Sequence, residues 1–457
     1  MNNKVLDIIE KNGVIVAPAG YGKTETICEI LEKNPINKSI LVLTHTNAGV
    51  DTILKRIKLK FNIKCKYKIM TIASFCSKLV LQFPVSSKYK FDENDYHNIY
   101  EGMNLLLNNS CVRDIIKLSY DELIIDEYQD CNILQHKIIL NINKFLPVKI
   151  FGDPLQSIYD FDGILVDFKN FITKKDLLLE LNYPWRWKNN ISLSNWLTEC
   201  RVRLLNNESV NIKTAPDCVK FYKYTSQQES IKIIYKFSYL RGKSVVLFVS
   251  DYTATFYGKF FKGIFKVQEE VQCKTLYKFC ELLDNNPPYI ILKELFNIIK
   301  KSFINSSAEF KTIIEKIEEN NFNFTKIKKN KELCNILEKV NNNFNYNDFK
   351  KLLNEVSKNS NIVLFREELW AVLNELIKSL SINESKKPLE MLKTIRSNES
   401  IYKYNFNKLI SRILLVKGLD FDNVLLVLDE EQISNELLYV AITRATKNLW
   451  ILYKDNI

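Results

Sequence analysis

Eight consecutive residues, Ala17-Pro18-Ala19-Gly20-Tyr21-Gly22-Lys23-Thr24, have the types and spacing to hold a triphosphate. Small residues let the backbone curl until its N–H groups converge on an anion, and a following helix adds the positive end of its dipole. Lys23 would reach the β and γ phosphates, and the Thr24 hydroxyl would complete a Mg²⁺ shell. Glu25 completes the candidate nucleotide-binding set at the start of that helix. Ala17 in the first position is compatible if the backbone there needs no positive φ. Alone, the segment implies a bound nucleoside triphosphate and nothing more.

Three downstream segments supply what hydrolysis of that nucleotide would need. Asp126-Glu127-Tyr128-Gln129-Asp130 follows the apolar run Glu122-Leu123-Ile124-Ile125. An acidic pair at a strand end can hold Mg²⁺ through one carboxylate and polarise the attacking water with the other. Asp126 is assigned to the metal and Glu127 to the water. Gln156, in Gly152-Asp153-Pro154-Leu155-Gln156-Ser157-Ile158-Tyr159-Asp160-Phe161, sits just past another apolar run, where it could sense the γ-phosphate. Tyr159 and Phe161 alternate, so both can project from one side of an extended segment and stack on unpaired bases, worth roughly 1–3 kcal/mol per base. Near the C-terminus, Arg444 in Tyr439-Val440-Ala441-Ile442-Thr443-Arg444-Ala445 could neutralise charge developing at the γ-phosphate when presented from a second domain.

These segments need a frame. In the first ~190 residues, short Val/Ile/Leu runs alternate with amphipathic stretches, which predicts βα units around a parallel sheet. Buried strands are expected at Val14–Ala17, Ser39–Thr44, Tyr67–Thr71, Glu122–Ile125, Lys149–Phe151 and Leu177–Leu181. A second α/β portion starts with Cys218–Tyr224 and Ser244–Val249, and resumes at Ile410–Val416, Asn423–Leu428 and Leu449–Tyr453. Between about 271 and 400 the periodicity turns helical, for example over Leu292–Phe303, Glu309–Asn320 and Leu364–Leu380. Phe296, Phe303, Phe310 and Trp370 fall at helical spacing there and read as core. The basic run Lys326 to Lys331 reads as a solvated loop.

The chain has 457 residues, 46% hydrophobic and 26% charged, a globular composition with room for two to four domains. Its net charge of +12 suits a polyanion, since Lys and Arg that neutralise phosphates release counterions. Ten scattered cysteines without a CxxC pair indicate neither a zinc ribbon nor a thioredoxin-like site, and three histidines argue against a histidine-rich metal centre. Free thiols, no apolar run long enough for a bilayer and no signal-peptide pattern make a cytoplasmic protein with no membrane association the expectation.

Taken in order, the segments resemble superfamily 1A helicases of the UvrD, Rep and PcrA kind. Residues 17–24 resemble motif I. Leu43-Thr44-His45-Thr46-Asn47-Ala48 with Arg56 resembles motif Ia, and Thr71-Ile72-Ala73-Ser74-Phe75 is similar to motif Ic. DEYQD is close to the family's DEFQD, and GDPLQSIYDF to its GDxxQSIYxW. Leu181-Asn182-Tyr183-Pro184-Trp185-Arg186 resembles motif IV, Lys417-Gly418-Leu419-Asp420-Phe421 motif V and YVAITRA motif VI. The resemblance implies Arg186 at the γ-phosphate, Trp185 or Tyr183 stacked on adenine, and Asp420 near the ribose. It also implies Thr46, Asn47, Thr71, Phe75, Tyr159 and Phe161 on single-stranded DNA, with movement 3′ to 5′.

The chain departs from that pattern in informative places. No counterpart of the adenine-reading glutamine is evident in residues 1–15, and Ala73 replaces a histidine. Arg412 and Leu414 stand where motif V has a threonine and a histidine that touch DNA. Phe75 and Asp126 are only 51 positions apart, which leaves a short first insertion. In size the chain is similar to compact defence-type members such as the UvrD-like partner of the nuclease in Gabija antiphage systems.

The expectation is therefore an α/β fold of two RecA-like P-loop domains: 1–200 (with an insertion about 77–118), 201–270 with 401–457, and a helical insertion over 271–400. ATP and Mg²⁺ are the expected cofactors, and single-stranded DNA or DNA with single-stranded ends the partner. Antiphage defence or DNA repair is the expected setting. The alternative, from a different class, is a nucleotide-gated regulatory subunit of a partner nuclease complex, without processive unwinding. No acidic-lysine cluster outside the motifs supports a nuclease within this chain.

Overall fold

A computed structural model describes residues 12–88, 96–158, 164–174, 177–268, 274–383, 385–398, 407–429 and 433–454. The fold is α/β, with two parallel sheets and helical additions, as expected of RecA-like cores. The chain divides into two compact units, 1–230 with 416–457, and 231–415. The expected boundaries at 200, 270 and 400 do not coincide with this division.

In the first unit six strands, β1 (Gly13–Val16), β2 (Ser39–Thr44), β3 (Lys66–Thr71), β4 (Glu122–Ile125), β5 (Val148–Gly152) and β6 (Leu177–Glu180), form one sheet. Their order is β3-β2-β4-β5-β1-β6, and every pair is parallel. Alternate residues of each strand go to opposite faces. Val14, Leu41, Leu43, Leu123, Ile125 and Ile150 pack into one core, while Ile15, Ile40, Val42, Ile124 and Phe151 pack into another. A sheet buried on both faces demands near-continuous apolar strands, and this is why short Val/Ile/Leu runs marked it in the sequence. One buried exception, Lys149 on β5, is neutralised by Glu122 on β4 at 2.7 Å.

This unit also holds three parallel strands in the order Val219–Tyr224, Ala445–Lys454 and Phe421–Leu428. The second unit has its own parallel strands, Ser244–Phe248, Lys408–Arg412 and Lys266–Val267, in that order. Residues Ile413–Val416, expected to continue a strand, form a 3₁₀ turn instead. Most of the second unit is helical, and its helices from Lys274 onward pack around a core that includes Phe296, Phe303, Phe310 and Trp370, so these aromatics are core as expected. Of the basic run, Lys326 and Lys328 are exposed, and Lys329 pairs with Glu309 at 2.5 Å. Among the described residues no helix is long and apolar enough to cross a membrane.

Candidate nucleotide site

Parallel strands deliver their C-terminal ends to one edge of the sheet, and ligands of such sheets bind there. The phosphate loop leaves β1, His45 to Asn47 leave β2, Asp126 and Glu127 leave β4, and Asp153 to Gln156 leave β5. The loop turns at Gly20 and Gly22, whose φ values of +78° and +86° lie in the left-handed region. Ala17 precedes the turn and is fully buried in the core. The Tyr21 amide donates to the Pro18 carbonyl. A Cβ on Gly20 would lie 2.8 Å from Arg186 Cβ, and one on Gly22 2.8 Å from Trp185 Cδ1. The loop is therefore packed against the Trp185–Trp187 turn, whose Arg186 amide donates to the Gly20 carbonyl at 3.0 Å. Tyr21 is buried, edge-on to Trp187 and within 3.0 Å of the Thr198 hydroxyl, so its ring props the loop from inside.

Lys23 opens the Lys23–Lys33 helix and is ion-paired with both carboxylates, at 3.3 Å from Asp126 Oδ1 and closer still to Glu127. Burial works against the Lys23 charge, but the two acids outweigh it and hold the ammonium well above its ordinary range. Burial pushes Asp126 up, with Lys23 opposing. Glu127 goes the other way: burial is overcome by Lys23 and Lys417, which bring it down to about 2. Glu127 also has φ +56°, a conformation that costs a side-chain-bearing residue on the order of 1–3 kcal/mol and gathers at functional sites. Gln129, fully buried, aims it: its Nε2 donates to Glu127 Oε2 at 2.6 Å, and its Oε1 accepts from the Asp153 amide at 3.0 Å.

Gln156 is close by, but its side-chain amide donates to Asp153 Oδ2 at 2.8 Å. Lys417 donates to both Asp130 oxygens at 2.6–2.7 Å and to the Gln156 carbonyl at 2.6 Å. His45 is pushed down to about 4 by burial and by the neighbouring Lys417, so it adds no charge near neutral pH. Two arginines complete the site. Arg186 donates to the Thr443 carbonyl at 2.8 Å, and Arg444 to the carbonyls of Val440 and Leu419. Burial lowers both, and Arg186 next to Arg444 helps bring the latter down to about 9. Two neighbouring guanidiniums, each disfavoured by burial, are an electrostatic request for an anion. Asp420, exposed, is close enough to act on both.

Arg444 departs from one expectation, since it lies in the same compact unit as Lys23 and is fully buried on backbone carbonyls. Glu25 departs from another: its carboxylate is engaged by Arg56 at 2.6 Å and Lys60 at 3.4 Å on the next helix, away from the loop. Tyr183 and Trp185 form an exposed edge-to-face pair, 4.4 Å between centroids, beside Gly22. That placement leaves both open as a shelf for a base.

The residues expected on DNA divide three ways. Thr46 and Asn47 are exposed at the start of the Asn47–Lys60 helix, where Thr46 caps the Gly49 amide. Thr71 is buried and caps the Ile72–Gln82 helix through Ser74. Phe75 is 5% exposed and belongs to the core under that helix, so its ring cannot stack on a base: an apolar residue on the inner face of a helix is claimed by packing. Tyr159 and Phe161 lie outside the described residues.

A divalent metal fits the acid pair. Asp126 Oδ1 is buried and, apart from the Lys23 ammonium 3.3 Å away, has no hydrogen-bond partner among the described residues, and the partly exposed Thr24 follows Lys23. Mg²⁺ usually keeps several waters and takes one or two carboxylates plus substrate phosphates, so Asp126 and the Thr24 hydroxyl are the groups that would hold it.

Two family models match the chain: one described as "AAA domain" over residues 3–162, and one described as "Viral superfamily 1 RNA helicase core domain" over residues 337–453. Among curated proteins, an ATP-dependent helicase/nuclease subunit of Oenococcus oeni is 36% identical over 93 residues, 19% of this chain and 8% of that protein. "RecBCD enzyme subunit RecB" of Buchnera aphidicola is 28% identical over 167 residues, 36% of this chain and 13% of that one. The matches thus span about a tenth of those relatives' length. Among solved structures, the Pif1 helicase from Candida albicans aligns over 99% of this chain and 94% of its own, with 10% identity and a TM-score of 0.43.

Proposed function

We propose that this chain, whose core is of the superfamily 1 helicase type, is an ATP-driven motor or helicase on single-stranded DNA. The observation that carries the reading is the meeting of Lys23, Asp126 and Glu127 at the strand edge, with Glu127 aimed by Gln129.

The chemistry follows from these residues. The loop amides and Lys23 would hold the phosphates, and Asp126 with Thr24 would hold Mg²⁺, which when bound would supply charge neutralisation at the transferring phosphoryl group. Glu127 orients and polarises the attacking water. At a pKa of about 2 it is a weak base, because Lys23 sits on it. When Lys23 turns to the phosphates, Glu127 loses the partner that depresses it and its basicity rises. Arg186 and Arg444 take up the charge that develops on the γ-phosphate. The bases of DNA would meet Thr46 and Asn47 along the same edge, with Tyr159 and Phe161 as further candidates. Direction 3′ to 5′, and a setting in antiphage defence or DNA repair, belong to the proposal by resemblance.

A second reading has one specific support. Arg412 and Leu414 occupy the two DNA-touching positions of motif V. The protein would then be a DNA-gated ATPase subunit that controls a partner nuclease, as the name of the helicase/nuclease relative also invites.

ATPase rates without nucleic acid, then with single-stranded DNA, duplex DNA and RNA, test the first reading. Strong stimulation by single-stranded DNA is expected, with separation of a forked duplex. Stimulation without strand separation favours the gated subunit, and a rate indifferent to every nucleic acid rejects the motor.

A further inference from the structure

One buried hydrogen-bond chain is not used by the reaction as described. The Ala19 amide, in the phosphate loop, donates to the Tyr439 hydroxyl at 3.2 Å. Tyr439 comes from the Asn435–Ile442 helix and is 2% exposed. Arg201, from the Ile191–Leu205 helix, donates through Nη1 to the same hydroxyl at 3.3 Å and to Asp153 Oδ1 at 2.6 Å, and its guanidinium lies 5.6 Å from the Tyr439 ring centre. Asp153 is fully buried and also accepts from the Gln156 side chain, while its own amide donates to Gln129. An unbroken path therefore runs from Ala19 through Tyr439, Arg201 and Asp153 to Gln156, with a branch through Gln129 to Glu127.

We propose that Tyr439 and Arg201 are positioning residues for phosphoryl transfer, holding the phosphate loop in register with Gln156 and Glu127. The inference rests on the ATPase reading above and deepens it. A hydroxyl has two acceptor lone pairs, and Tyr439 spends both, one on the loop and one on Arg201. Arg201 and Asp153 form a buried charge pair, and the loss of one partner from such a pair is costly, so both groups are fixed. Displacement of the loop is thereby transmitted to Asp153, the group that anchors Gln156. Neither Tyr439 nor Arg201 needs to touch the nucleotide for this.

Tyr439→Phe removes a single oxygen and keeps the ring packing, which makes it the test. Hydrogen exchange of the peptide covering residues 17–22 requires no turnover and reads the Ala19 contact directly. In Y439F that exchange should rise several-fold, while exchange in the buried strand β4 stays as in the wild type. The kcat for ATP hydrolysis should fall by about tenfold, with KM changed less than about threefold, the pattern of a lost transition-state interaction. Arg201→Lys should lower kcat too, and the double variant should be no slower than the slower single, because both act along one path. Unchanged exchange at 17–22 overturns the proposal whatever the ATPase does. Raised exchange with a wild-type kcat overturns it as well, and losses that multiply in the double variant sever Arg201 from Tyr439. A wild-type protein that hydrolyses no ATP would count against the function proposed above, while the exchange measurement would still decide the contact.

Discussion

In the proposed ATPase, Glu127 is the residue on which the chemistry would turn, and its environment predicts how a variant behaves. Its backbone is in the left-handed region and its side chain is fixed by Lys23 and Gln129. Glu127→Gln retains the shape and one acceptor but loses the charge that polarises water. Nucleotide binding should persist within a few-fold, while turnover falls by about 10²–10⁴, the usual range for a positioned acid–base group. Binding of a fluorescent ATP analogue together with steady-state hydrolysis checks this, and sustained turnover by the variant would remove Glu127 from its role. At this scale the sequence exposed residues whose chemistry is tied to a motif, Lys23, Asp126 and Glu127. It did not expose Gln129, Arg201 or Lys417 as parts of the site, because the roles of Arg201 and Lys417 depend on hydrogen bonds to residues 48 and 287 positions away, and that of Gln129 on its bridge from neighbouring Glu127 to the Asp153 amide 24 positions on, which no local pattern encodes. Phe75 shows the converse: an aromatic residue within a motif was claimed by the core.

Elements were legible where burial imposes a period. Both-face burial turned β1, β2, β4 and β5 into readable apolar runs, and these strands and the edge strand β3, whose first three residues are exposed, were expected with ends correct to within a residue or two. Two-residue strands such as Phe303–Ile304 and Val363–Leu364 carry no period at all, and an apolar run such as Ile413–Val416 does not distinguish strand from 3₁₀ turn. In the second unit, loops are joined by polar groups that no periodicity announces. Glu309 is the clearest case, with a side chain only 6% exposed. It accepts from Lys329 at 2.5 Å, Asn330 at 3.1 Å, Asn359 at 3.2 Å and Asn361 at 3.2 Å, so one carboxylate ties together three segments. Burial raises its pKa, but these donors together outweigh burial and bring it down to about 2. A carboxyl lowered on folding stabilises the folded state fully above its unfolded value of 4.5, and that contribution is lost as pH falls from 4.5 towards 2. Glu309→Gln should therefore cost roughly 1–3 kcal/mol at neutral pH, within the range for bonds to a charged group. Urea unfolding of wild type and variant at several pH values checks this. The gap should hold from pH 7 to about 4.5 and narrow below it; a gap independent of acid would mean that the charge contributes nothing.

For the whole molecule, the set of motifs was informative because a parallel sheet brings the C-terminal ends of all its strands to one edge, so segments far apart in sequence gather there even though β1 pairs with β5 and β6 rather than with β2. Unit boundaries were not legible in the same way. Segments 1–230 and 416–457 form one unit through contacts between the two ends of the chain, which leave no local mark on either. The net charge of +12 is a property of the whole molecule too, and the salt dependence of binding separates the proposed DNA partner from a mere compositional bias. A Lys-rich surface that binds nothing leaves the ATPase insensitive to salt beyond general screening. A surface that neutralises phosphates releases counterions, so the logarithm of affinity falls linearly with the logarithm of salt, at a slope of about −0.7 per contact on a single strand. Four such contacts would weaken binding about 50-fold between 50 and 200 mM salt. Titration of a labelled oligonucleotide at several salt concentrations measures that slope, and the DNA concentration for half-maximal ATPase should rise in parallel. A steep slope in binding with no matching change in the ATPase would mean that DNA contacts the protein without driving it. The charge would then serve recruitment, and the gated-subunit reading would gain over the motor.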